Sequence, residues 1–137
     1  MQRTADLPLK STVDEGWKST ASLAVFWVLA VVGLPVMTGA WLLLPLASLE
    51  ELTEQGKAVA AGTSMAGTTF LYGVLPLVLA HVVGLVLLCS IGGAGRYNRR
   101  SGVLLGIAAV AATSIVGLTV TLIISGGQLI ATSNYVP

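Results

Sequence analysis

Charge is the property that this sequence has least of. Its 137 residues include only seven Lys or Arg and six Asp or Glu, whereas 55% of the residues are hydrophobic. Soluble globular domains average about 25% charged residues, so a share of 9% excludes an ordinary soluble domain. The net charge of +1 provides no long-range field to attract a phosphate backbone, and nucleic acid is not expected as a partner.

Cysteine and recognisable catalytic motifs are also scarce. The single thiol, Cys89, excludes a disulfide within the chain and a metal cluster built from this chain's cysteines alone. We interpret Cys89 as a small apolar packing residue. A nucleotide-binding loop, a Ser/His/Asp set and an HExxH motif are all missing from the sequence. The sequence therefore predicts a protein that is not itself an enzyme.

The few charged residues form three clusters that are separated by long uncharged runs. The runs cover residues 19–49, 58–95 and 101–137, and each exceeds the roughly 20 residues with which a helix crosses a bilayer. The predicted fold class is an all-α integral membrane protein with three transmembrane helices. The predicted segments are an N-terminal arm (1–18), transmembrane helix 1 (19–47), an outer loop (48–66), transmembrane helix 2 (67–91), a basic loop (92–101), transmembrane helix 3 (102–125) and a C-terminal tail (126–137).

Local signals give expectations for the ends of the first span. The first apolar run is too long for the apolar core of a signal peptide, so we expect a retained anchor. Residues 1–11 are polar and are expected to be extended. Pro45 favours the end of the first helix. The capping box Ser48-Leu49-Glu50-Glu51 then predicts a separate short amphipathic helix that lies at the outer surface.

The distribution of basic residues predicts the orientation. Arg96, Arg99 and Arg100 lie in one short loop that contains no acid, and the positive-inside rule places such a loop in the cytoplasm. Three spans then put the N-terminus in the cytoplasm and the C-terminus outside, as in a bacterial-type plasma membrane. The same arginines are suited to anionic lipid headgroups, at about 1 kcal/mol each.

Small residues recur at helical spacing in the second and third spans. Because close packing of helices in lipid depends on small side chains, we expect these two spans to pack on each other through them. The predicted packing residues are Gly73, Ala80 and Gly84 in the second span, and Gly102, Gly106, Thr113, Gly117 and Thr121 in the third.

His81 is the only histidine and lies near the middle of the second span. A polar ring at that depth costs free energy unless it finds a hydrogen bond or a ligand, which makes it a candidate functional residue. Gly84 follows three residues later on the same face and leaves room beside the ring. The interpretations that stay open are a hydrogen bond to a neighbouring helix, ligation of haem, and transfer of a proton or substrate.

This organisation resembles the membrane-anchor subunits of succinate dehydrogenases. The shared features are a short chain, three spans, a cytoplasmic N-terminus and one histidine inside the second span. The resemblance implies that His81 serves as an axial ligand of haem b, with the second ligand supplied by another chain because no other histidine is present. The first span has no histidine or arginine to match the quinone-site cluster of that family.

The acidic residues Glu50, Glu51 and Glu54 lie within about one helical turn. Hard cations prefer oxygen ligands, but the composition of this loop favours a solvated acidic face or a docking surface for a basic partner over a metal site.

Elimination leaves an interaction role as the predicted function. We expect an auxiliary, non-catalytic membrane subunit that stabilises a larger membrane complex, with respiratory or other energy-converting machinery as the hypothesis for its class. Its expected partners are the lipid bilayer and other integral membrane subunits, and no cofactor is expected. The alternatives are a haem-binding anchor that uses His81 and a homo-oligomeric pore or small transporter. No acid or base within any span can couple transport to an ion gradient.

Overall fold

The computed structural model describes residues 9–94 and 99–132, with side chains described for residues 20–93 and 100–132. The elements are α1 (Leu9–Ala60), a π-helix (Thr69–Val74), α2 (Leu75–Ala94) and α3 (Arg99–Ile124), and no strand occurs in the described ranges. Three segments are long and apolar enough to cross a membrane: Thr20–Ala60, Thr69–Gly93 and Arg100–Ile124. The prediction of an all-helical chain with three such helices is confirmed.

The first helix is longer than the sequence signals predicted. α1 runs for 52 residues and contains both Pro35 and Pro45, because a proline removes only one backbone hydrogen bond and is tolerated when neighbouring helices support the chain. Ser48 does not start a new helix, since its hydroxyl accepts a hydrogen bond from the Ala131 backbone N–H at 2.8 Å. The short helix predicted after Ser48 is instead the last part of α1. Residues 9–11, predicted to be extended, are helical.

A proline also shapes the start of the second span. Pro76 has no N–H, and its ring crowds the carbonyl four residues earlier. The backbone before it widens into the six-residue π-helix Thr69–Val74, and the N–H of Leu75 bonds the carbonyl of Phe70, five residues back. The chain then continues directly into α2.

Contacts between helices define their directions. Gly73, at the start of the second span, lies against Leu44 of α1, whereas Gly92, near its end, lies against Phe26. The second span is therefore antiparallel to α1. Gly92 also lies against Gly102 near the start of α3, so the second and third spans form an antiparallel hairpin. The end of the bundle where α1 and α3 both finish is called the acidic end below.

The core of the bundle is narrow. Its buried cluster consists of Phe26, Ala30, Met37, Leu88 and Val110, contributed by all three helices. Most other large apolar side chains face outward, which is the arrangement that a bilayer or a neighbouring membrane protein stabilises and that water does not.

Candidate functional site

Both ring nitrogens of His81 have partners inside the bundle. Nδ1 lies 2.8 Å from the carbonyl oxygen of Leu77, one turn earlier on the same helix. Nε2 lies 2.8 Å from the hydroxyl oxygen of Ser114 on α3. The imidazole therefore joins α2 to α3 in the interior of the membrane-spanning region.

The chemistry of the partners assigns the hydrogens. A carbonyl oxygen can only accept, so Nδ1 of His81 carries a hydrogen and donates it to Leu77. In the neutral imidazole Nε2 then has only a lone pair, and the Ser114 hydroxyl donates to it. Because the Ser114 hydroxyl donates its hydrogen to His81, only its oxygen lone pairs remain to accept a hydrogen bond from another donor.

Trp41 of α1 supplies that donor. Its indole N–H donates to the Ser114 hydroxyl oxygen across 3.1 Å, and its ring meets the His81 ring edge to face, with centroids 6.3 Å apart and planes at 83°. The chain of bonds runs from Trp41 through Ser114 and His81 to the Leu77 carbonyl. One side chain from each of the three helices takes part, and we call Trp41, His81 and Ser114 the polar triad.

The polar triad is internally complete when His81 is neutral. The indole N–H, the serine hydroxyl and both imidazole nitrogens are all paired, which removes the penalty for burying them. The arrangement can hold three helices in register. Ligation of iron through Nε2 would require the hydrogen bond between His81 and Ser114 to break. The binding of haem b at His81 stays a prediction. Within the described residues, no group of three or more His, Cys, Asp or Glu could hold a metal ion.

Sequence reasoning singled out His81 but missed its two partners. A signal for Ser114 was available, because His81 lies fifteen residues before Arg96 and Ser114 lies fifteen residues after Arg99. Two residues equally far from the ends of one short loop reach the same depth in an antiparallel pair. Trp41 carried no such signal, because nothing in the sequence relates its position in the first span to the positions of His81 and Ser114.

Two of the predicted packing glycines lie where α3 meets α2. A Cβ added to Gly106 would be 2.8 Å from the backbone nitrogen of Cys89 and 2.9 Å from the carbonyl carbon of Leu88. A Cβ on Gly102 would overlap the carbonyl of Gly92. The backbones approach so closely at these two positions that only glycine fits.

Two other predicted packing glycines, Gly73 in the second span and Gly117 in the third, lie against α1. A Cβ on Gly117 would be 2.9 Å from the Trp41 ring and 3.1 Å from the Cα of Thr38. A Cβ on Gly73 would be 3.0 Å from the Cα of Leu44. We expected these glycines to pack spans two and three against each other, but at Gly73 and Gly117 the close contact is with α1.

The four remaining predicted packing residues make no backbone contact as close as those of the glycines above. Ala80 packs at the edge of the buried core, and a Cβ on Gly84 would be 3.5 Å from Val110. The Thr113 hydroxyl donates to the Val110 carbonyl on its own helix at 3.0 Å. Thr121 is fully buried, and its hydroxyl has no partner among the residues that the structure describes.

The arginine loop is only partly covered by the structure. Arg96 lies outside the described residues. Arg99 is the first residue of α3, but its side chain is outside the described set. Arg100 begins the third apolar segment. The headgroup-binding and topological roles of these three residues stay predictions.

Glu51 binds the start of the second span. Its Oε2 accepts the backbone N–H of Thr69 at 2.7 Å, and its Oε1 accepts that of Gly67 at 3.3 Å. One turn later, the Gln55 side chain accepts the backbone N–H of Met65 at 2.9 Å. Glu51 therefore caps the first helical turn after the loop, a role that its place in an acidic cluster did not predict. Glu54 pairs with Lys57 at 2.9 Å.

This cap makes the loop sensitive to acid. Glu51 lies beyond the uncharged run 19–49, and the hydrogen bonds from the backbone and side chain of Thr69 lower its pKa below the ordinary 4.5. A lowered folded-state pKa contributes stability that is present above the unfolded value and is lost as the pH falls through the folded value. We expect thermal unfolding in detergent to show that acid-induced loss in the wild type, and Glu51→Gln to weaken it.

The matched control for that prediction is Glu50→Gln, because Glu50 is the exposed neighbour on the same helix. Its unfolding curve is expected to keep the acid-induced loss of the wild type. Identical pH profiles for the wild type and Glu51→Gln would contradict the capping role of Glu51.

Comparisons with known proteins add no relative. No protein family, no curated protein and no solved structure matches this chain. The resemblance to the anchors of succinate dehydrogenases is therefore architectural and has no sequence match behind it. Any function proposed for the chain depends on its own residues.

Proposed function

We propose that this protein is a non-catalytic integral membrane subunit that packs against and stabilises a larger membrane complex. It is inserted with the N-terminus in the cytoplasm and the C-terminus outside a bacterial-type plasma membrane. The observation that carries the proposal is the exposure of the second span. Only 6% of its most apolar stretch is buried within the chain, compared with 22% for the first span and 17% for the third.

The uncovered face of α2 is continuous and uniformly apolar. Leu79, Val82, Val83 and Val86 follow one another at helical spacing, and each is about half exposed or more. Branched and compact side chains of this kind offer a surface against which another helix can pack.

The polar triad supports a structural role over a catalytic one. Its polar groups are directed at one another, whereas an active site keeps polar groups available for a substrate. In this proposal the polar triad stabilises the helix bundle, and the apolar outer faces of the bundle contact the other subunits. Respiratory and other energy-converting complexes are the first class to examine.

The test is co-purification of the tagged chain from native membranes in mild detergent, with identification of the proteins that come with it. Val82→Trp combined with Val86→Trp places bulk on the proposed contact face, and we expect the associated partner to fall at least roughly tenfold, as overpacking of an interface predicts. The control is Val31→Trp on α1, a site that is 70% exposed, and it should retain the partner.

The outcomes separate the three functional classes. A partner that survives the α2 substitutions, or a chain isolated without any partner, would overturn the proposal. A ladder of self-crosslinks without foreign proteins would favour the homo-oligomeric pore. A haem absorption spectrum in the isolated assembly that changes with His81→Ala would favour the haem-binding anchor.

A further inference from the structure

Exposed aromatic rings lie at two levels of the bundle. Trp27 on α1 is 54% exposed, and Phe70 and Tyr72 in the π-helix are 63% and 61% exposed. Phe26 is buried in the core, and Trp41 belongs to the polar triad. Within the described ranges, no other Phe, Tyr or Trp ring is exposed, so none lies on the outer surface between the two levels.

The two levels are separated by about the thickness of a membrane. Gly73, the residue after Tyr72, packs against the backbone of Leu44 on α1, so Tyr72 lies close to the level of Leu44. From Trp27 to Leu44, α1 rises about 26 Å at 1.5 Å per residue. The hydrocarbon core of a bilayer is about 30 Å thick. Trp27 and Tyr72 are therefore spaced like two rings at opposite boundaries of that core.

Charged residues begin close to both levels. The spans between them fall within the uncharged runs 19–49, 58–95 and 101–137. At the acidic end, Glu51 bonds the backbone N–H of Thr69 in the π-helix. At the opposite end, Gly92 contacts the residue before Trp27 and the start of α3, and Arg100 lies in the first turn of α3. Charge and exposed aromatic rings thus mark the same two boundaries.

The polar atoms of these rings require partners from outside the chain. In the part of the chain that the structure describes, neither the Trp27 indole N–H nor the Tyr72 hydroxyl has a hydrogen-bond partner. By contrast, the indole N–H of Trp41, which lies among the spans, is paired with Ser114. An unpaired donor is costly in hydrocarbon, whereas oxygen atoms of the headgroup layer can accept its hydrogen.

We propose that Trp27 and Tyr72 anchor the protein in the two headgroup layers of the bilayer. The indole N–H and the phenol O–H donate to phosphate or ester oxygens of the lipids, and the hydrocarbon core covers the bundle between them. The buried Phe26 ring holds the Trp27 ring edge to face, with centroids 5.7 Å apart and planes at 88°. This placement does not depend on the proposed role in a complex, because it involves only this chain and lipid.

The placement also positions the acidic end. Residues 50–60 of α1 extend through the headgroup layer and beyond it, together with the loop that Glu51 and Gln55 bind. The segment after α3 lies on the same side, where Ala131 donates to Ser48. The acidic end is thus a hydrogen-bonded structure that faces the headgroups and the water, and the polar triad lies inside the hydrocarbon core.

The test measures the depth of single rings in bilayers that contain only this chain and brominated phosphatidylcholine. Bromine near the glycerol end of the acyl chains quenches shallow tryptophans, and bromine near the methyl end quenches tryptophans at the midplane. A Trp17→Phe background keeps the polar triad intact, and the signal of Trp27 is its difference from the further variant Trp27→Phe. We expect shallow bromine to quench this signal at least about twofold more than deep bromine.

The opposite boundary is measured with Tyr72→Trp in the chain that also carries Trp17→Phe and Trp27→Phe. We expect the same preference for shallow bromine. The control in that chain is Val82→Trp, because Val82 is 51% exposed and follows His81 at the middle of the second span; deep bromine should quench it more.

Two results would overturn the anchors. One is quenching of Trp27 or Tyr72→Trp by deep bromine as strongly as of Val82→Trp. The other is a lack of quenching by either lipid, which would show that the rings do not contact lipid. Trp27 is measured at its native position, so its result does not depend on the folding of a newly introduced tryptophan.

Discussion

Replacing Gly106 with alanine is expected to lower the free energy of unfolding by about 2–3 kcal/mol, the upper part of the range for overpacked sites. The added methyl group would meet the backbone nitrogen of Cys89 at 2.8 Å and the carbonyl carbon of Leu88 at 2.9 Å. Backbone atoms within a helix cannot rotate away as a side chain would. The α2–α3 hairpin must therefore separate by part of an ångström along its length, and Gly106→Leu should prevent this packing altogether.

The matched control is Gly39→Ala on α1. A Cβ at Gly39 meets nothing within 4 Å, and alanine favours helix over glycine by up to about 1 kcal/mol. We expect Gly39→Ala to leave stability unchanged or to raise it. Unfolding of the two variants in mixed micelles, followed by tryptophan fluorescence during titration with a denaturing detergent, measures the difference. Equal stability of Gly106→Ala and Gly39→Ala would show that the helices are not in contact at Gly106.

Removal of the Ser114 hydroxyl is the second substitution with a large expected effect. Ser114→Ala leaves the Trp41 indole N–H without its acceptor and the His81 Nε2 without its donor. Single hydrogen bonds between membrane helices contribute about 0.6 kcal/mol on average and about 1.7 kcal/mol at most. Because two bonds are lost from one buried network, we expect a loss of about 2 kcal/mol in the free energy of unfolding.

A double-mutant cycle tests whether the three residues act as one network. Trp41→Phe and Ser114→Ala should together cost less than the sum of their separate effects, because each removes the same bond. Thr119→Ala on α3 is the control, since the Thr119 hydroxyl is exposed and bonds only to the Ile115 carbonyl of its own helix. Strict additivity in the cycle, or an equal effect of Thr119→Ala, would contradict the polar triad.

The spans could be predicted from the sequence because hydropathy acts over long windows. A run such as 19–49 without a charge has few alternatives to a membrane helix. The end of α1 was predicted wrongly because Pro45 and Ser48 are local signals, and their outcome depended on tertiary contacts. Ser48 bonds Ala131, 83 residues away, and no local pattern contains that information.

The same distinction applies to the candidate site. Helical spacing identified the small-residue faces, but it did not reveal which neighbour each face meets, so Gly117 was assigned to α2 and lies against α1. His81 was conspicuous as the only histidine. The role of Trp41 depended on the arrangement of three helices, because its indole reaches Ser114 only when α1 and α3 lie side by side.

The length of α1 has a mechanical consequence. Its 52 residues extend about 78 Å at 1.5 Å per residue, compared with about 30 Å for the hydrocarbon core of a bilayer. The helix is therefore long enough to extend beyond the hydrocarbon core on both sides of a bilayer. A change in tilt of about 10°, within the range that membrane helices show, swings each tip sideways by about 7 Å in opposite directions. Because one continuous helix joins the two tips, a tilt that moves one tip also moves the other.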